Sequence, residues 1–148
     1  MDDVSPLLNI MNSVEAITPD DVWAVLADLP ATRWWLPGVV AARMDGDVRV
    51  CTMADGQEIH ERISELSAEA RSYRFAHLRV PLPVQQSHGT FTVTRGSAPG
   101  TARVTLRTTF DPLDPTTGEE VTGMVQQAFG QSLESLRRYV EEKVPWNA

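Results

Sequence analysis

The hydrophobic pattern of the chain changes period twice. Residues 7–17 (LLNIMNSVEAI) are moderately apolar with β-type side chains and read as a first strand. Thr18-Pro19-Asp20-Asp21 then starts a helix, with a capping Thr, Pro in the first turn and acids beside it. Val22, Trp23, Val25, Leu26 and Leu29 give that helix an apolar face, and Pro30 ends it. Residues 31–36 (ATRWWL) make a second short helix stopped by Pro37-Gly38, so 18–37 holds two short helices. From Val39 the period is two. Strands fall at 39–44, 48–53, 57–66, 72–80, 87–95 and 101–110, with turns at Asp45-Gly46-Asp47, Asp55-Gly56 and 96–100. Pro81-Leu82-Pro83 cannot sit inside a central strand, so it is a loop or an edge. The period then returns to that of a helix. Over 117–144, Val121, Met124, Val125, Ala128, Phe129, Leu133, Leu136, Tyr139 and Val140 recur three and four apart. Thr117 and Glu120 make a capping-box pattern at its start.

This order predicts an α+β fold: an antiparallel sheet of about seven strands, curved around the long C-terminal helix, with two short helices after the first strand. One domain over 1–148 is expected at this length. Alternation assigns the faces. Val104, Leu106, Thr108 and Phe110 face inward, as do Ser87, Gly89, Phe91 and Val93, and Tyr73, Phe75 and His77. Cys51 and Met53 carry Arg49 in with them, and Ile59 and Ile63 carry in Glu61 and Glu65. A buried charge is costly unless paired or hydrogen-bonded. Arg49 and Glu61 therefore either form a structural pair or line a wet cavity.

Composition narrows the partners. Charged residues are 22% and hydrophobic residues 42%, ordinary for a globular chain. The net charge of −7 argues against a nucleic-acid backbone or an anionic membrane as partner. A single cysteine, Cys51, excludes an intrachain disulfide and a cysteine-built zinc site. Residues 1–5 carry two Asp and no basic residue, unlike a signal peptide, and no apolar run reaches transmembrane length. A cytoplasmic location is the expectation. No His, Asp and Glu cluster has metal-ligand spacing, so no metal is expected. His60 and His88 have outward parity, whereas His77 points inward as a core histidine or a second acid/base.

Several short motifs follow one another in an order that resembles a known family. They are Val14-Glu15-Ala16 before Thr18-Pro19, Val22-Trp23-Ala24-Val25-Leu26, and Trp35-Leu36-Pro37-Gly38-Val39. Gly46-Asp47-Val48-Arg49-Val50, Glu61-Arg62-Ile63, Tyr73-Arg74-Phe75, Pro81-Leu82-Pro83-Val84 and Gly89-Thr90-Phe91-Thr92-Val93 continue the series. Together they resemble the polyketide cyclase/dehydrase branch of the START-like superfamily, whose helix-grip fold is shared with plant abscisic-acid receptors. The resemblance implies an apolar cavity between sheet and long helix that binds or transforms a hydrophobic small molecule. In members related to lachrymatory-factor synthase, an inward Arg and Glu handle proton transfer, and their positions match Arg49 and Glu61. Ser87 stands where many relatives carry a cavity Tyr. Phe129 matches a ligand-facing aromatic of the last helix.

The expected site follows. Arg49 holds a substrate oxygen, and Glu61, with a carboxyl raised by partial desolvation, moves a proton, with His77 as a further acid/base. Trp34, Trp35, Cys51, Met53, Ile63, Tyr73, Phe75, Ser87, Gly89, Phe91, Met124 and Phe129 supply the ligand wall. Ser87 has no adjacent base in a recognisable arrangement and is a poor nucleophile. The small residues Gly123, Ala128 and Gly130 put the roof of the cavity under the first half of the long helix. The expected function is a cofactor-free cyclase, dehydratase or isomerase for a polyketide-like substrate in specialised metabolism. The alternative is a non-catalytic carrier or resistance protein using the same cavity. The sequence leaves monomer and dimer both open.

Overall fold

The computed structural model describes residues 8–16 and 18–148. The outer residues of the expected first strand, Leu7 and Ile17, lie outside them, as do residues 1–5. The chain runs β1 (Leu8–Ala16), α1 (Pro19–Ala27), a 3-10 turn, α2 (Thr32–Trp35) and β2 (Val39–Asp45). Then come β3 (Val48–Met53), β4 (Glu58–Ser67), β5 (Ser72–Arg79), β6 (Val84–Arg95), β7 (Ala102–Pro112) and α3 (Gly118–Glu142). The strands form one antiparallel sheet in the order β1-β7-β6-β5-β4-β3-β2. Only the first strand leaves sequence order, pairing with the last from Leu8↔Phe110 to Ala16↔Ala102. The helices between β1 and β2 therefore carry the chain from one sheet edge to the other. The sheet curves around α3, as the α+β reading expects.

Alternation works best in β5, β6 and β7, which each bury one face. Val104, Leu106, Thr108 and Phe110 are all at most 1% exposed. The main core gathers Trp35, Tyr73, Phe75, Phe91 and Leu106 under Leu133 and Leu136 of α3. A second cluster joins Ile10, Val84 and Phe110 to Val121 and Val125 at the start of α3.

Three local expectations are corrected. β6 begins at Val84, before the expected Ser87, and its register with β7 shifts between Gln85 and His88. Val84 and Ser87 are both buried with two exposed glutamines between them, and the bulge, with Gln86 at φ 51°, absorbs the extra residue. A similar irregularity between Ser64 and Ser67 turns Glu65 out of the parity it shares with Glu61. Glu65 is exposed and pairs with Arg74. The capping box at Thr117 does not form. The Thr117 hydroxyl donates to the Asp114 carbonyl at 2.7 Å, and the Asp114 carboxylate accepts from the Thr116 N–H at 3.0 Å. A 3-10 turn (Pro115–Thr117) therefore leads into α3, and Asp114 caps that turn.

Candidate active site

Strand register places three polar side chains in one row, and the β6 bulge adds a fourth. Arg49 of β3 lies opposite Glu61 of β4, and Glu61 lies opposite His77 of β5. Their side chains point to the same face because facing residues in an antiparallel pair share one side. Arg49 Nε donates to Glu61 Oε1 at 2.9 Å, and His77 Nε2 stands 3.5 Å from Glu61 Oε2. On its other edge, His77 Nδ1 is 2.8 Å from the Ser87 hydroxyl, which the β6 bulge turns inward. Arg49 Nη1 donates to the Thr32 hydroxyl at 3.1 Å and to the Tyr73 hydroxyl at 3.4 Å. The Arg49–Thr32 bond ties α2 to the sheet, and the Thr32 hydroxyl donates in turn to the Leu29 carbonyl of the preceding 3-10 turn. Arg49 Nη2 has no hydrogen-bond partner among the described residues.

Burial sets the electrostatics. Arg49 is 2% exposed and Glu61 5%. Burial alone raises a carboxyl pKa, but the Arg49 charge and then the His77 hydrogen bond pull the other way, and Glu61 falls to about 2. The sign is opposite to the raised value expected from desolvation, because Arg49 and His77 together outweigh it. Burial acts to lower the Arg49 pKa, but the Glu61 charge, joined by smaller effects of Tyr73, Cys51 and the Glu61 hydrogen bond, outweighs it, and the pKa rises. The pair is therefore a guanidinium and a carboxylate at neutral pH. Cys51, on the same face two residues along β3, is fully buried, and burial followed by the Glu61 charge pushes its thiol up to about 12.

This row borders a cavity of about 170 Å³ between the sheet and α3. Arg49, Glu61 and His77 belong to its wall. So do Trp35, Met53, Phe75, Phe91 and Phe129. The segment Val80, Pro81 and Leu82 forms part of the boundary, and Pro81 is exposed, so the wall is thinnest there.

Other expected wall residues sit elsewhere. Trp34 is 40% exposed, with the Arg33 guanidinium 4.4 Å from its ring centre, because its neighbour Trp35 takes the inward direction. Met124 is 47% exposed. It precedes buried Val125 by one residue, about 100° around the helix, on the side away from Phe129. Cys51 packs behind the wall with Val39 and Ile59, and Ile63 lies in the main core. Tyr73 is fully buried against Phe91 with its hydroxyl on Arg49. Ser87 bonds His77 from the far side. Gly89 lies beneath the Phe75 ring, where an added Cβ would meet Phe75 Cζ at 2.5 Å.

The wall also holds Ala128, expected at the roof, and residues that the expected site omits: Leu36, Ile59, Val80, Leu106 and Ser132. Ile59 and Leu106 already had inward parity. Ser132 is four residues beyond Ala128 and thus on the same helical face, but its polarity hides it from a hydrophobic count. Its hydroxyl is spent on the Ala128 carbonyl at 2.9 Å. The roof is accordingly the middle of α3, from Ala128 to Ser132, because Val121 and Val125 are engaged in the second core cluster. Among the described residues no group of three or more His, Cys, Asp or Glu is placed to hold a metal.

An antiparallel sheet curved around a long C-terminal helix is the helix-grip class of fold. The chain belongs to the family described as polyketide cyclase / dehydrase and lipid transport, whose sequence model matches residues 13–141. No curated protein matches it. Among solved structures it is similar to an uncharacterised protein from Bacillus thuringiensis, at 24% identity and a TM-score of 0.83, covering 90% of this chain and 98% of that one. It is also similar to the ZhuI aromatase/cyclase of a Streptomyces species, at 16% identity and a TM-score of 0.76, covering 93% and 95%. Norcoclaurine synthase from Thalictrum flavum matches at 18% identity and a TM-score of 0.71, covering 95% and 99%. At these identities the likeness is one of fold.

Proposed function

We propose that the protein is a cofactor-free cyclase, dehydratase or isomerase acting on a hydrophobic small molecule inside this cavity. The observation that carries the reading is a buried Arg49–Glu61 pair in a largely apolar wall, with Arg49 Nη2 left to a ligand. Membership of a cyclase/dehydrase family and a fold shared with an aromatase/cyclase support the same reading. Arg49 Nη2 donates to a carbonyl oxygen of the substrate. That oxygen draws on the guanidinium charge from Nη2 while Nε keeps Glu61, and the ligand dries the pair further, so Glu61 becomes a stronger base as the ligand binds. Glu61 then takes a proton from the carbon beside the carbonyl, and the electron pair moves onto the oxygen held by Arg49. The proton returns at another carbon in an isomerisation, goes to the oxygen of the attacked carbonyl when the enolate carbon closes a ring, or leaves with hydroxide as water in a dehydration. His77, between Glu61 and Ser87, relays it. The wall aromatics Phe75, Phe91 and Phe129 hold the chain folded for reaction.

The test is Glu61→Gln. Turnover should fall by about 10²-fold or more while ligand affinity stays nearly constant. Unchanged turnover would remove Glu61 from the chemistry. Recovery of bound ligand unaltered from the wild-type protein would make it a carrier.

A further inference from the structure

The volume of the cavity restricts its occupant. At about 170 Å³ it is close to a dry protein cavity of about 150 Å³ that takes up one benzene molecule. Its walls are not free to retreat. Trp35 meets Phe91 edge-on at 6.0 Å between ring centres, and Phe91 meets Phe75 at 5.7 Å. Phe75 is held from below by Gly89, with no space for even a methyl group between them. Polar groups reach the cavity from one cluster, because the Ser132 hydroxyl already serves the Ala128 carbonyl. In that cluster Arg49 and Glu61 cancel each other's charge, and an anionic ligand reaching Arg49 would also face the Glu61 carboxylate.

We infer that the cavity selects an uncharged molecule of single-ring size, aromatic or alicyclic, carrying a carbonyl or hydroxyl oxygen that Arg49 Nη2 meets. A fused skeleton of two or three rings fits only by reaching past Pro81 towards solvent, away from the enclosing walls. This rests on the proposed reading of the cavity as the substrate site, and it narrows the hydrophobic substrate to a compact one.

The experiment is a titration of the wild-type protein, followed by amide chemical shifts of β3, β4 and β5. The probes are phenol, cyclohexanone, benzoate, 2-naphthol and 2-anthrol at neutral pH. Burial of apolar area alone would make each added ring bind more tightly, so the order of affinities is diagnostic. Phenol or cyclohexanone should saturate at least tenfold more tightly than 2-naphthol and than benzoate, and 2-anthrol should not saturate. Tighter binding of 2-naphthol or 2-anthrol would overturn the size limit while leaving the cavity reading intact. Benzoate binding more tightly than phenol would overturn the neutrality. If no probe shifts these strands, the cavity reading falls too. Leu106→Ala deletes a wall side chain and should shrink the phenol preference over 2-naphthol at least threefold. An unchanged ratio in a folded variant would contradict the inference.

Discussion

Arg49 and Glu61 stand or fall together. Removing one leaves the other buried and unpaired, which costs roughly 3–5 kcal/mol, whereas replacing both with apolar groups of similar shape is far milder. Arg49→Met should therefore be markedly destabilised in urea unfolding at neutral pH, and Arg49→Met/Glu61→Leu should recover most of the loss. A double variant no better than the single one would show that Thr32 and Tyr73, and not Glu61, are the partners that matter. The pair also sets an acid limit. The folded Glu61 pKa is depressed from the ordinary 4.5 to about 2, so its contribution is complete above 4.5 and fades as pH falls through 2. Circular dichroism should show stability declining across that window, with a flatter slope there in Glu61→Gln. At this scale the sequence was informative where parity alone decides: Arg49, Glu61 and His77 were all found by alternation. The sign of the Glu61 shift was not legible, because it depends on an interatomic distance. Nor could parity separate Trp34 from Trp35, since a short helix has too few turns to show a face.

The elements show where packing is close and where it is loose. In α3 a Cβ added at Gly123 or Gly130 would touch nothing within 4 Å. Both positions are helical, so each Gly→Ala change should stabilise by about 0.5–1 kcal/mol, read as a melting temperature higher by a few degrees. In β6 the outcome reverses. Gly89→Ala drives a Cβ towards Phe75 Cζ at 2.5 Å and the Arg107 carbonyl at 2.9 Å, and should destabilise by about 1–3 kcal/mol. A Gly89→Ala protein as stable as wild type would mean that Phe75 can move, and the cavity with it. Helices and strands were legible almost throughout because their periods are distinct. The β6 start was not, since a bulge breaks the alternation that marks a strand. The Thr117 cap escapes the sequence for a related reason: Asp114 competes for the same turn, and sequence spacing does not rank the two.

For the whole molecule, the order of the elements sufficed to reach the fold, because an antiparallel meander followed by one long amphipathic helix has few ways to bury its apolar faces. Cavity size was beyond the sequence. It is the small remainder of many side-chain volumes, and Leu36, Leu106 and Ser132 each change it. Cys51 offers a measure of how firmly the closed sheet holds. It is the sole thiol, fully buried, with its pKa pushed up to about 12. A thiol reagent should therefore react with the native protein at least 100-fold more slowly than with the denatured chain. If the rate is instead close to that of an exposed thiol, β3 opens without global unfolding. Because only the thiolate reacts and it forms only in water, each modified molecule records one opening of the strand that carries Arg49. The chain thus contains its own stopwatch for that strand, and a ligand seated beside Arg49 should slow it by as much as the ligand holds the sheet shut.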